Sequence, residues 1–156
     1  MSVKTKSVAG AVATLVFVGG WEGLRLTAYR DVVGVPTICY GETLGVKMGD
    51  TATKAECDAM LIASLKKHEA GFDRCLRPPT AIPTKTKIAL VSWTYNVGVG
   101  AACSSTAVRR FNAGDYHSGC ESVTWWNKGT VNGKRVTIPG LVNRRAAEYS
   151  LCVADL

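Results

Sequence analysis

Hydrophobic and polar positions along the chain change rhythm three times. From Val8 to Gly20 the residues VAGAVATLVFVGG carry no charge. Together with the WEGLRL that follows, they predict a first helix over about 7–26, loosened at Gly19-Gly20. From Ala28 to Val46, short β-branched or aromatic pieces are broken by Gly34, Pro36, Gly41 and Gly45, the pattern of a small antiparallel sheet with tight turns. TKAECDAMLIASLKKHEAGF then returns to helical spacing. Thr53 with Glu56 three residues on forms a capping box, and Met60, Leu61, Ser64, Leu65, His68 and Phe72 fall along one helical face. RPPTAIP breaks the chain. Beyond it, TKTKIALVSWTYNVGVG predicts a helix with Ile88, Val91, Ser92 and Tyr95 on one stripe, ended by Gly98. Further helices are predicted at about 104–112, 115–126 and 141–153. Between the last two, GTVNGKRVTIPG sets an Asn-Gly turn between valines, an exposed hairpin. A helix, a small sheet and then a run of helices is the order of an α+β fold with segregated elements.

Composition narrows the partners. A chain of 156 residues with 47% hydrophobic and 20% charged positions has the make-up of one globular domain. The net charge of +7 and the pI near 9.2 favour a polyanionic partner: nucleic acid, an anionic membrane or an acidic cell wall. No helix-turn-helix, RNA-binding or zinc-finger pattern accompanies the charge, so nucleic acid is set aside. Cys39, Cys57, Cys75, Cys103, Cys120 and Cys152 are dispersed singly, with only His68 and His117 to help. Structural zinc takes closely spaced ligand pairs, so no metal site is expected. An even, dispersed count points instead to disulfides in an oxidising compartment, with buried thiols of a reduced protein as the alternative. Six cysteines allow fifteen connectivities. The simplest joins neighbours along the chain: Cys39–Cys57, Cys75–Cys103 and Cys120–Cys152.

The stretch WEGLRLTAYRDVVGVPT carries the candidate chemistry. Cleaving a glycosidic bond takes a proton donor for the leaving oxygen and a carboxylate that activates water or attacks directly. Glu22, beside Trp21 and Leu24 at the foot of an apolar helix, has surroundings that disfavour a charged form and suit the donor. Asp31 enters a turn region where a carboxylate stays ionised. Thr37 follows Pro36, whose ring stiffens the backbone, and its hydroxyl suits holding a water. Spacing alone favours solvated surface charges over catalysis, and the surrounding residues change that.

The surrounding residues resemble the active-site motif of phage-type lysozymes, the endolysins of glycoside hydrolase family 24. Glu22-Gly23-Leu24-Arg25-Leu26, Ala28-Tyr29, Asp31, Thr37 and Gly41 match that motif. The likeness continues in VSWTYNVGVGAACSST, RRFNAGDYHSGC and PGLVNRRAAEYSLC, so it runs from about residue 18 to the end. It implies a lysozyme-like α+β fold within 1–156: an N-terminal helix to about 20, a sheet lobe over about 21–52, a connecting helix over about 53–76, and a helical lobe from about 77. It further implies hydrolysis of the β-1,4 bond between N-acetylmuramic acid and N-acetylglucosamine in peptidoglycan glycan strands by a monomer without cofactor. Glu22 would be the general acid, and Asp31 and Thr37 would position water. Thr43, Tyr95, Asn96 and Ser105 would line the saccharide cleft, and Arg144 or Arg145 would lie close to the acid. Two positions depart from the usual pattern: Cys39 stands where the turn carries glycine, and Glu42 where many relatives have histidine.

The resemblance also gives the greasy N-terminus a meaning. Some endolysins begin with a weakly hydrophobic signal-anchor-release segment, which parks the exported enzyme on the inner membrane and later slips out. Residues 8–20 are similar to one, although they fall short of the roughly 20 residues needed to span a bilayer. An ordinary buried first helix explains the same letters. A cleaved signal does not suit them, because cleavage after Gly20 would leave Glu22 second in the mature chain. Export to the host periplasm is therefore expected, with the host cytoplasm until holin-mediated escape as the alternative. A catalytically silent, cationic wall-binding or membrane-disrupting protein is the competing function. A lytic transglycosylase would need only the glutamate.

Overall fold

A computed structural model describes residues 3–77 and 81–156, with side chains of the first helix described from Gly10 onward. Pro78, Pro79 and Thr80 of the predicted chain break lie outside the described residues. The chain divides into two compact units, Met1–Lys66 and Lys67–Leu156.

In the first unit, α1 (Val3–Glu22) runs unbroken through Gly19-Gly20, so the predicted loosening is absent. It also stops short of the expected residue 26. Gly23 takes φ +73° and donates its N–H to the Gly19 carbonyl at 3.3 Å, the left-handed turn that ends a helix. Gly19 itself allows close packing, since a Cβ there would lie 3.3 Å from Tyr40 Cε1. Strand β1 (Arg25–Arg30) pairs antiparallel with β2 (Pro36–Cys39), with Tyr29 opposite Thr37. Ala28 N–H donates to Asp50 O and Ala52 N–H to Leu26 O, both at 2.9 Å, which lays the following segment along β1.

Helix α2 (Lys54–Asp73) crosses the boundary between the units. Its capping box forms as expected: Thr53 N–H donates to Glu56 Oε2 at 2.7 Å, and Glu56 N–H to Thr53 Oγ1 at 3.2 Å. The buried stripe is Cys57, Leu61, Leu65 and Phe72. Met60, expected on it, is 42% exposed, because the register is set by Cys57, one position round the helix. Tyr40 donates its hydroxyl to Asp58 Oδ1 at 2.7 Å, joining the turn after β2 to this helix.

The second unit is mainly helical: α3 (Thr84–Val97), α4 (Val99–Cys103), α5 (Thr106–Asn112), α6 (Tyr116–Val123) and α7 (Pro139–Val153), with the hairpin β3 (Lys128–Val131) and β4 (Lys134–Thr137) before α7. Asn132 and Gly133 at the hairpin tip have φ of +50° and +76°, the backbone that an Asn-Gly turn supplies cheaply. Helix α3 differs from its predicted single stripe. Ile88 through Thr94 are all buried, so it is the central helix of its unit, covered on every side. No side chain of its own caps it; Asp155 does so from the other end of the chain, accepting from Lys85 N at 2.8 Å and Thr86 N at 3.2 Å. The core around it gathers Phe72, Leu90, Trp93, Val108, Phe111 and Val123.

Three disulfides are present: Cys39–Cys57, Cys75–Cys103 and Cys120–Cys152, with Cα–Cα distances of 4.9, 5.4 and 5.8 Å. Cys39 sits at φ +61°, in the left-handed region that costs an L-residue about 1–2 kcal/mol. Glycine would take that conformation without the cost.

Candidate active site

The hairpin between β1 and β2 builds the first cluster. Asp31 Oδ1 accepts the N–H groups of Val33 at 3.0 Å and Val35 at 2.8 Å. Asp31 N–H donates to Val35 O at 3.0 Å, and Thr37 Oγ1 donates to the same carbonyl, also at 3.0 Å. Asp31, just after β1, and Thr37, on β2, are thus tied to one residue, Val35. Gly34, at φ +86°, makes the turn that allows it. The arrangement commits one carboxylate oxygen to the backbone and leaves Oδ2 for other chemistry. Thr37 is buried (3% exposed), and with its proton given to Val35 its hydroxyl can accept from a further donor.

Glu22 closes α1 three positions before β1, in the same unit and partly exposed. Its expected apolar enclosure is looser than the sequence suggests, since Trp21 and Leu24 are 37% and 38% exposed. The helix ends at Glu22, and both side chains stay partly in solvent.

The second unit holds the other candidates. Tyr95 is half-buried against His68, ring centroids 5.0 Å apart. Asn96, exposed at the last turn of α3, accepts from Arg145 Nη2 at 3.0 Å through Oδ1. Ser105 is buried and already employed as the N-cap of α5, accepting from Val108 N at 3.2 Å. Thr43, in the first unit, is exposed in a turn. Arg144 and Arg145, expected near the acid, are both buried against a carboxylate that the sequence reading did not single out, Glu148. Arg145 meets it side-on, Nε to Oε2 at 2.6 Å and Nη2 to Oε1 at 3.1 Å. Arg144 Nε and Ser92 Oγ donate to the same Oε1 at 3.1 and 2.7 Å. Burial pushes the Glu148 carboxyl above its ordinary range, while Arg145, Ser92 and Arg144 pull it back. The available signal was spacing: in NRRAAE the glutamate follows the arginines by three and four residues, one helical turn. Among the described residues, no group of three or more His, Cys, Asp or Glu side chains could hold a metal ion.

Comparison with known proteins decides the family. The phage lysozyme family model matches residues 19–148. The chain belongs to the phage lysozyme family. The SAR-endolysin of Pseudomonas phage phiKMV is 44% identical over 147 residues, covering 94% of this chain and 88% of that protein. The SAR-endolysin of Enterobacteria phage P21 is 36% identical over 151 residues, covering 92% and 87%. Among solved structures, the endolysin of Escherichia coli O157:H7 phage FAHEc1 superposes with a TM-score of 0.84 at 36% identity, covering all of this chain and 96% of that one. A point mutant of P22 lysozyme gives a TM-score of 0.79 at 28% identity, over 90% and 95%. Membership makes this chain a lysozyme-type glycosidase of lysozyme fold, with peptidoglycan as its substrate.

Proposed function

We propose that this phage lysozyme family member hydrolyses the β-1,4 bond between N-acetylmuramic acid and N-acetylglucosamine and so lyses the host cell. The observation that carries the reading is the common anchorage of Asp31 and Thr37 on Val35. The two functions a water site needs, a carboxylate and a hydroxyl, both bond to that one residue. Thr37 accepts a hydrogen bond from the water, and Asp31 Oδ2 takes up its proton as the oxygen attacks the sugar carbon. Glu22 protonates the departing glycosidic oxygen. Tyr95 and Asn96 bind saccharide. By resemblance Thr43 and Ser105 also bind saccharide, although the capping role of Ser105 suits it less.

The same reading covers location. Relatives named SAR-endolysins and an oxidised set of six cysteines support export to the host periplasm, where the enzyme would act as a monomer. Residues 8–20 would hold it transiently at the inner membrane before release. Among the described residues no helix is long and apolar enough to cross a membrane, so the tether rests on those relatives and on the uncharged run.

The test is turbidity loss of outer-membrane-permeabilised Gram-negative cells with assay of new reducing ends, comparing the oxidised protein with Glu22→Gln. Lysis with reducing ends that falls by about 10²-fold or more in the variant is expected. Lysis that survives the substitution would replace this reading with the cationic membrane-active one.

A further inference from the structure

Glu148 is a fully buried acid (0% exposed), and the reaction as written does not use it. Its contacts form a chain that ends at the surface. Arg145 engages Glu148 at two points, an Nη2 hydrogen bond to Oε1 at 3.1 Å and an Nε–Oε2 ion-pair contact at 2.6 Å, a side-on fork that restrains the guanidinium plane. The remaining hydrogen of Nη2 goes to Asn96 Oδ1 at 3.0 Å. Ser92, which donates to Glu148 at 2.7 Å, lies one turn before Asn96 on α3, so the network joins α7 to α3 directly beneath Asn96. A guanidinium can only donate. Asn96 must therefore turn its oxygen inward to Arg145, and its Nδ2 group, two donors, faces the solvent. A buried acid whose fork fixes the amide orientation of an exposed residue has a use beyond packing. Hydrophobic replacement of such a network is often no less stable.

We propose that Glu148 and Arg145 are positioning residues that set Asn96 as a hydrogen-bond donor to an acceptor oxygen of the glycan, an acetamido carbonyl or a hydroxyl. The inference rests on the reading that Asn96 faces saccharide. Without the fork the amide could rotate by half a turn and present its oxygen, which repels the same acceptor.

The test measures kcat and apparent KM for reducing-end release from purified peptidoglycan by wild type, Asn96→Ala, Arg145→Lys and the double variant. Arg145→Lys keeps the charge and removes the fork. Each single variant is expected to raise KM about three- to tenfold, the worth of one hydrogen bond, with kcat within about twofold. The double variant should be no worse than the poorer single one, because both act through one contact. Additive losses, or an unchanged KM in Asn96→Ala, overturn the proposal. If Arg145→Lys does not fold, the wild-type Asn96 side-chain ¹H–¹⁵N signals are titrated with tri-N-acetylchitotriose. Both Nδ2 protons should shift with sugar, and their constancy overturns the proposal as well. That titration needs no turnover. Reducing ends that persist in Glu22→Gln would thus count against the assigned reaction and leave the Asn96 contact separately decided.

Discussion

Asp31 offers a clean separation of scaffold from chemistry. Its Oδ1 holds the β-hairpin by accepting from Val33 and Val35. Asn replaces that oxygen with an amide oxygen of the same reach, so Asp31→Asn keeps both backbone bonds while losing the charge. Asp31→Ala loses them. Hydrogen bonds to a charged acceptor are worth about 1.5–3 kcal/mol each when well shielded. On a loop with this exposure, about 1–2 kcal/mol for the pair is reasonable after screening by water. At about 2–4 °C per kcal/mol for a domain of this size, Asp31→Ala should melt about 2–8 °C lower, and Asp31→Asn within about 2 °C of wild type. Activity should follow a different order. If the free oxygen takes the proton of the attacking water, both variants lose about 10²–10⁴-fold in kcat. Melting temperature and reducing-end release, measured on the same preparations, read the two effects independently. Asp31→Asn retaining activity within about tenfold of wild type would refute the reasoning, because the carboxylate would then be a hairpin anchor and nothing more.

Three further outcomes are expected. Replacing Cys120 and Cys152 together by Ala should cost about 3–4 kcal/mol, the chain-entropy figure for a bridge across 32 residues, checked by denaturant unfolding against the oxidised protein. Gly98 joins α3 to α4 at φ +89° and ψ 147°, where a Cβ would meet nothing within 4 Å. Gly98→Ala should therefore destabilise by about 1–3 kcal/mol through backbone conformation alone, and a neutral melt would refute that. Lys54, then Tyr40, hold the Asp58 carboxyl below its ordinary range, and the Thr53 backbone N–H and hydroxyl do the same for Glu56. Groups that bind protons more weakly when folded add stability above the unfolded pKa near 4 and lose it as pH falls through the lower folded values. Melts between about pH 2 and 6 should show that acid loss, and Asp58→Asn should flatten it.

Local chemistry made much of this protein legible in its letters. The capping box of Thr53 and Glu56, the Asn132-Gly133 hairpin and the break at Gly98 depend on neighbours within a few residues, so the residues themselves state them. The pairing of Asp31 with Thr37 was nearly as accessible, because only six positions and one glycine turn separate them. The tertiary structure decided what depends on distant partners. Periodicity gave α3 one buried stripe, but helices packed from several sides bury Ile88 through Thr94 all round, and no local pattern reports how many neighbours a helix will have. Met60 was placed on the wrong face because the Cys57–Cys39 bridge sets which side of α2 turns inward. Glu148 reads in sequence as one turn of an ordinary charged helix. Only the approach of α3, whose Ser92 lies 56 residues from it along the chain, turns it into the buried acceptor of three donors. Local rules give a residue its conformation; its partners are fixed by packing, which joins segments that the sequence keeps far apart.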